Sequence, residues 1–381
     1  MAVQPKFLRA TTNCVLRCVL GAAAVLALYV PAAHAETATT GPLASVTSIS
    51  RISALSGWLV WSAQQPDGSF ALQALHDGVT RTVPVRSSAT PFDMDLGTDA
   101  SGRVVAVFPR CKTMPNLRPD GTLPVPGGCV IRVVDLLSGK ERSAGIPRST
   151  ADSDTDASMW QGQLAVARHD PAHKDVEQLL LWSPQSRKLT ALPHGAVPTK
   201  CPYAHSSVCK KMRVSGTASG LDLGSKLVAF VWAIQAPSVI GYGGDEVRAV
   251  SLKSHRSSLV GEGYAGEECT GGVNGALPSP PNVVGTSVWY AEVTDNCYQF
   301  NSLLIIYSIG PVAGRWGPLA GTVLQLVKDG PKLYALIAPP NADETDYSCS
   351  RPGAPCTIQQ LAAMPPLTAV PHDQLPTSPF F

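Results

Sequence analysis

One pattern recurs six times along this chain and narrows the folds open to it. A small or polar turn is followed by an apolar run too short for a buried helix. The runs are residues 57–61, 102–107, 162–167, 225–230, 286–291 and 331–336. They return about every 45 to 60 residues, the period of a propeller blade with long loops. Each is followed by a second apolar stretch (70–75, 130–136, 179–182, 247–252, 303–309, 358–361), usually closed by a tight turn such as His76-Asp77-Gly78 or Ser138-Gly139-Lys140. Glycine suits such hairpins because it accepts the positive φ where a Cβ would clash. Weaker strands precede the runs, as at 46–52, 212–217 and 323–328. Four strands per unit and six units predict an all-β six-bladed β-propeller with four-stranded antiparallel blades. A β-sandwich would lack the long repeat, and a solenoid would have a shorter one.

The first residues read as a leader. Lys6, Arg9 and Arg17 flank an apolar run over 19–30, and Ala33-His34-Ala35 forms a small-residue cleavage site. The run is shorter than the ~20 residues that a membrane span needs. A signal peptide over 1–35, cleaved after Ala35, is therefore expected, followed by a linker over 36–45, one propeller domain over 46–371 and a tail over 372–381. The mature protein is expected to be secreted or periplasmic, with no membrane span. Loss of the leader lowers the Lys and Arg count from 30 to 27, against 28 Asp and Glu. A near-neutral chain lacks the basic footprint that nucleic acid requires.

Cysteine points to the same compartment. Beyond the leader stand Cys111, Cys129, Cys201, Cys209, Cys269, Cys297, Cys349 and Cys356, an even number that reads as disulfides. Eight cysteines permit 105 pairings. Their spacing forms four near-neighbour couples, which favours sequential pairing without proving it. No C-x-x-C cluster with nearby His suggests zinc.

Two segments carry a family likeness. Residues 99–107 (Asp-Ala-Ser-Gly-Arg-Val-Val-Ala-Val) and 134–140 (Val-Asp-Leu-Leu-Ser-Gly-Lys), together with 159–167, resemble the TolB-like, WD-repeat-like β-propeller repeats of exported bacterial proteins. The resemblance implies a propeller scaffold and no particular activity.

In such a blade, the loop between the second and third strands shares a face with the crossover to the next blade. Here that face holds the long segments, including 111–129, 152–158, 193–211, 235–245, 261–281 and 295–301, and all eight cysteines. The opposite face holds short turns. Long ordered loops often carry function.

No nucleophile elbow, H-E-x-x-H or phosphate loop is present. The candidates for a binding face are Asp152, Asp154, Asp156, His169, Glu267, Glu268, Asp295 and Tyr298. The first three alternate like the opening of a calcium loop, yet Ala157 and Gln163 stand where Gly and Glu are needed, so they read as a solvated acidic crossover and no cofactor is expected beyond a loose calcium. His169 and His173 read as loop histidines. Asp93, Asp95 and Asp99 read as turn and strand-edge residues. Six tryptophans in or beside strands read as blade packing, with Trp316 as the exposed one. The expectation is a monomeric binding scaffold for a protein, peptide or glycan. The alternative is an extracellular hydrolase or lyase using Glu267, Glu268 and Asp295 as paired carboxylates.

Overall fold

The computed structural model describes residues 41–113, 125–173, 176–195, 215–235, 243–264, 275–295, 300–308, 314–316, 322–339, 349, 353–361 and 370–371. They belong to one compact unit, Ala38–Phe381.

Five sheets hold four antiparallel strands each. The first runs Ser53–Leu55, Trp58–Gln64, Phe70–His76 and Val79–Thr82. The second runs Asp95–Thr98, Val104–Arg110, Val130–Asp135 and Glu141–Ser143. The third runs Ser153–Trp160, Gln163–His169, Gln178–Ser183 and Lys188–Leu192. The fourth runs Ser215–Leu223, Leu227–Gln235, Gly243–Ser251 and Ser257–Tyr264. Another combines Thr322–Asp329, Lys332–Ala338 and Cys356–Leu361 with a strand from far back in the sequence, Ala44–Val46. Ala44 pairs with Ile358 and Val46 with Cys356, which ties the start of the described chain to its last regular sheet.

The fold is thus an all-β propeller, but regular four-stranded blades number five among the described residues, not the six expected. The remaining sheet has six strands. Its inner strand is split into Gly275–Pro278 and Asn282–Val284, both paired with Ser287–Asp295. Pro280 and Pro281 supply no N–H to continue the ladder between them. Ser279 bridges the gap instead, its N–H donating to the Ala291 carbonyl at 2.7 Å and its Oγ accepting from the Ala291 N–H at 2.9 Å. At the other edge, Val370–Pro371 adds to Gly314–Trp316 beyond Phe300–Ser308.

The hairpin turns follow from local chemistry. Ser56-Gly57, Asp77-Gly78 and Gln161-Gly162 all have positive φ at both residues, the condition for a tight hairpin whose twist matches its strands. Apolar residues then fill the space between neighbouring sheets, as where Val105, Val107 and Val133 meet Met159, Leu164 and Val166. Trp58, Trp61, Trp182, Trp232 and Trp289 are buried, in keeping with a packing role.

First strands of successive sheets touch one another around a common axis, so each is the innermost of its sheet. Their approach is close. A Cβ on Gly97 would stand 2.0 Å from the Met159 carbonyl oxygen, a backbone atom that cannot swing aside. Gly97→Ala is therefore expected to cost about 3 kcal/mol by forcing the second and third sheets apart. Urea unfolding checks this, and a loss below about 0.5 kcal/mol would show that the strands are not in such contact.

Candidate functional site at the propeller axis

The innermost strands are short of apolar residues at the positions that face the axis, and their polar side chains bond from sheet to sheet. Ser53 Oγ donates to Asp95 Oδ1 at 2.8 Å and accepts from the Leu96 N–H at 2.9 Å, linking the first sheet to the second. Ser158 Oγ donates to Asp95 Oδ2 and accepts from the Leu223 N–H at 2.7 Å, reaching both the second and the fourth sheets from the third. Asp156 Oδ2 accepts from the Leu221 N–H at 2.9 Å. Asp222 Oδ2 takes the Val283 N–H at 2.6 Å and Asn282 Nδ2 at 2.9 Å, and Asn282 Oδ1 takes the Lys328 N–H at 2.9 Å. Gln325 closes the ring with two bonds to the Ile52 backbone, at 2.7 and 2.8 Å. Buried polar groups are tolerated only when satisfied in this way.

Arg51 lies inside this ring. Its Nη2 is 3.2 Å from Asp95 Oδ1 and also donates to the Leu221 carbonyl, while Nη1 is 3.5 Å from Asp156 Oδ1. Burial works against its charge, but Asp95, Asp156, Asp93 and Asp222 outweigh that and hold the guanidinium pKa above its ordinary value. The carboxyl pKa values are raised too, which for an acid disfavours the charged form. Burial raises Asp95 and raises Asp156 well above the usual range, with Arg51 opposing and Asp93 adding to the rise at Asp156. Burial, helped by Asp95, pushes Asp222 up to about 7. Asp93 stands beside this cluster, with its side chain open to solvent through a cavity.

That cavity, about 250 Å³, opens at the end of the axis where the innermost strands begin, and is lined by Ser50, Arg51, Phe92, Asp93, Gly220 and Gln325 among others. A second cavity of about 380 Å³ lies outside it, lined by residues 86–93 together with Pro109, Arg110, Cys111, Pro126 and Thr155. Pro91, Phe92 and Asp93 line both. The outer cavity is braced by the Cys111–Cys129 disulfide, which closes an 18-residue separation and contributes about 3 kcal/mol in the chain-entropy model. Arg110 reinforces the same wall, bonding Glu141 through Nε and Nη2 at 2.8 Å each and lying over the Phe92 and Phe108 rings.

The expected acidic crossover is corrected by this arrangement. Residues 153–160 form the innermost strand of the third sheet, and Asp152, Asp154 and Asp156 are buried rather than solvated. A bulge between Asp154 and Asp156 turns them apart. Asp154 bonds Arg168 Nε at 2.6 Å and Nη2 at 3.2 Å, Asp152 bonds Ser149 and lies 3.6 Å from Arg168 Nη1, and Asp156 joins the axial ring. Two different arginines divide the three carboxylates. Among the described residues no group of three His, Cys, Asp or Glu side chains is placed to hold a metal ion. His169 ends its strand opposite Ser153, half-buried. Asp295 ends its strand opposite Gly275 and Phe300. Glu267, Glu268 and Tyr298 lie outside the described residues, as do Cys201, Cys209, Cys269 and Cys297 and the side chain of Trp316. Cys111–Cys129 and Cys349–Cys356 are paired as their spacing favoured.

Of the three aspartates read as turn and strand-edge residues, Asp99 is a turn residue, accepting from the Ser101 and Arg103 N–H groups, and Asp95 begins its strand. Asp93 and Asp95 belong to the axis, which the sequence reading missed along with Arg51, Asp222, Asn282 and Gln325. The available signal was a polar residue inside or just before each innermost strand, where alternation alone calls for an apolar one. Glu177, a further unexpected carboxylate, accepts from Thr155 Oγ1 at 2.8 Å and from the Ala218 N–H at 2.9 Å; burial pushes it up to about 7. No helix among the described residues is long and apolar enough to cross a membrane.

No protein-family model and no curated protein matches the chain. Solved structures with similar folds include a puromycin-hydrolyzing peptidase of Mycobacterium tuberculosis (11% identity, TM-score 0.43, covering 86% of this chain and 53% of the peptidase). They also include a PL25 ulvan lyase bound to a sulfated disaccharide repeat (9%, 0.43, 78% and 83%) and the β-propeller domain of the trilobed protease of Pyrococcus furiosus (9%, 0.36, 78% and 90%). The chain spans about half the length of the peptidase. At such identities and TM-scores nothing about activity transfers to this chain.

Proposed function

We propose that the chain is an exported, monomeric binding scaffold without catalytic activity, which docks a protein, peptide or glycan on the face where the innermost strands begin. The observation that carries this reading is the pair of cavities meeting across Pro91, Phe92 and Asp93. One is largely apolar at its walls, with Ser50, Arg51 and Asp93 among its few polar groups. The other is polar, with Arg86, Ser87, Ser88 and Thr90. Binding sites of this kind combine an apolar surround with a few convergent polar groups. Glycoside hydrolysis by paired carboxylates needs two carboxyl groups facing the substrate, whereas Asp95, Asp156, Asp222 and Glu177 are already bonded between sheets. The two disulfides support an oxidising compartment.

Screening protein that begins at Glu36 against arrayed peptides and glycans tests the proposal. The expected result is saturable binding of one class without its breakdown. Depolymerisation of a bound glycan, or cleavage of a bound peptide, would replace the scaffold reading with an enzymatic one.

A further inference from the structure

The inner cavity has a specific chemical demand. Its walls include Pro91, Pro280, Leu324 and Leu336, and Ile49 sits at its rim with 53% of its surface exposed. Its polar lining is Ser50, Arg51, Asp93, Ser219 and Gln325. Ser50 and Arg51 are 8% and 7% exposed; Arg51 Nη1 is held by its ion pair with Asp156, whereas Ser50 Oγ has no hydrogen-bond partner. Buried polar atoms left without partners are uncommon and call for a reason.

Charge sharpens that demand. One guanidinium faces four carboxyl groups, Asp93, Asp95, Asp156 and Asp222. Arg51 lies directly against Asp95 and Asp156, and Asp222 is satisfied by Asn282 and the Val283 N–H. Asp93 makes no hydrogen bond to the described residues, and it is the one of the four that opens into the cavity. An incoming positive charge would find its counter-ion there, and an aliphatic stem would cover the apolar walls. At about 250 Å³ the cavity is smaller than the ~300–1,000 Å³ typical of pockets for whole small molecules, which fits one long side chain.

We propose that the axial cavity is a subsite for a lysine or arginine side chain of a peptide ligand, with Asp93 as its counter-ion and Ser50 Oγ as an acceptor. This rests on the scaffold reading and names the ligand class for it.

The test uses the chain from Glu36 and four capped amino acids, N-acetyl N-methylamides of lysine, arginine, norleucine and glutamate, with binding followed by NMR titration. Lysine or arginine is expected to bind at least tenfold more tightly than norleucine, with glutamate weaker still. Asp93→Asn is expected to remove that advantage while leaving the circular-dichroism spectrum unchanged. Equal binding of norleucine and lysine, no binding of either cation, or an Asp93→Asn protein that still prefers the cation would each overturn the subsite. If the subsite fails while arrayed peptides without Lys or Arg still bind, the scaffold reading stands alone. If nothing binds in either experiment, both fall.

Discussion

Replacing Arg51 by Met is expected to destabilise the protein by about 3–5 kcal/mol at pH 8, the usual range when one partner of a buried ion pair is removed. Met matches the length of the side chain but cannot answer Asp95, 3.2 Å from Nη2, or Asp156, 3.5 Å from Nη1. It also leaves the Leu221 carbonyl without its donor. The loss should be dominated by charge, because the abandoned carboxylates sit where burial already raises them. Acid should then relieve it, since protonation neutralises both groups. Urea unfolding at pH 8 and pH 5 separates the cases. A penalty clearly smaller at pH 5 supports an electrostatic role. A penalty equal at both values would assign the effect to packing, and one below 1 kcal/mol would remove Arg51 from the centre of the ring.

Wild-type stability is expected to fall, not rise, between pH 5 and pH 8. Burial raises Glu177 from 4.5 to about 7, Asp222 from 3.8 to about 7 and Asp245 from 3.8 to about 6. A carboxyl raised on folding contributes its full stabilisation below the unfolded pKa. As pH rises, the unfolded chain releases that proton first, and the contribution is lost by the folded pKa. Glu177 alone implies a loss of about 3 kcal/mol across its window, at 1.36 kcal/mol per pKa unit. Asp99, held down to about 2 by Ser101 and Arg103 against the burial that would raise it, acts in the opposite sense, and its contribution disappears only as pH falls from about 4 toward 2. Maximum stability should therefore lie near pH 4–5, just below the usual range of about pH 5–8. Glu177→Gln should flatten the slope, because a neutral amide can still serve Thr155 and Ala218. Denaturation midpoints across pH 4–9 check both statements. A wild-type midpoint that climbs from pH 5 to pH 8 would overturn the first, and an unchanged slope in Glu177→Gln the second.

Much of the scaffold was legible because strand and turn signals are local. The runs at 57–61, 102–107 and 162–167 became second strands of their sheets, and Asp77-Gly78 and Gln161-Gly162 adopt the backbone that their chemistry favours. The first strands were harder. Residues 46–52 read as the first strand of the first blade, but that place belongs to Ser53–Leu55, while Ala44–Val46 pairs some 310 residues away with Cys356–Ile358. Nothing local distinguishes a strand that joins its sequence neighbours from one that closes a distant sheet. The irregular sheet has the same origin: Pro280 and Pro281 are visible in the chain, but the strand they interrupt is defined by its partner, Ser287–Asp295.

The all-β character, the repeat and the hairpin turns were thus legible in the chain alone, and spacing favoured the two near-neighbour disulfides that formed, since each depends on residues close together. Closure of the sheets set the rest. It converted Asp95, Asp156, Asp222 and Gln325 from scattered polar residues into bonds between sheets, and it set Arg51 among four carboxyl groups. It also left Asp93 open to the axial cavity. Charges separated by up to 171 positions in the chain meet only when the sheets close around an axis, so their protonation and the demand of the cavity are properties of that closure.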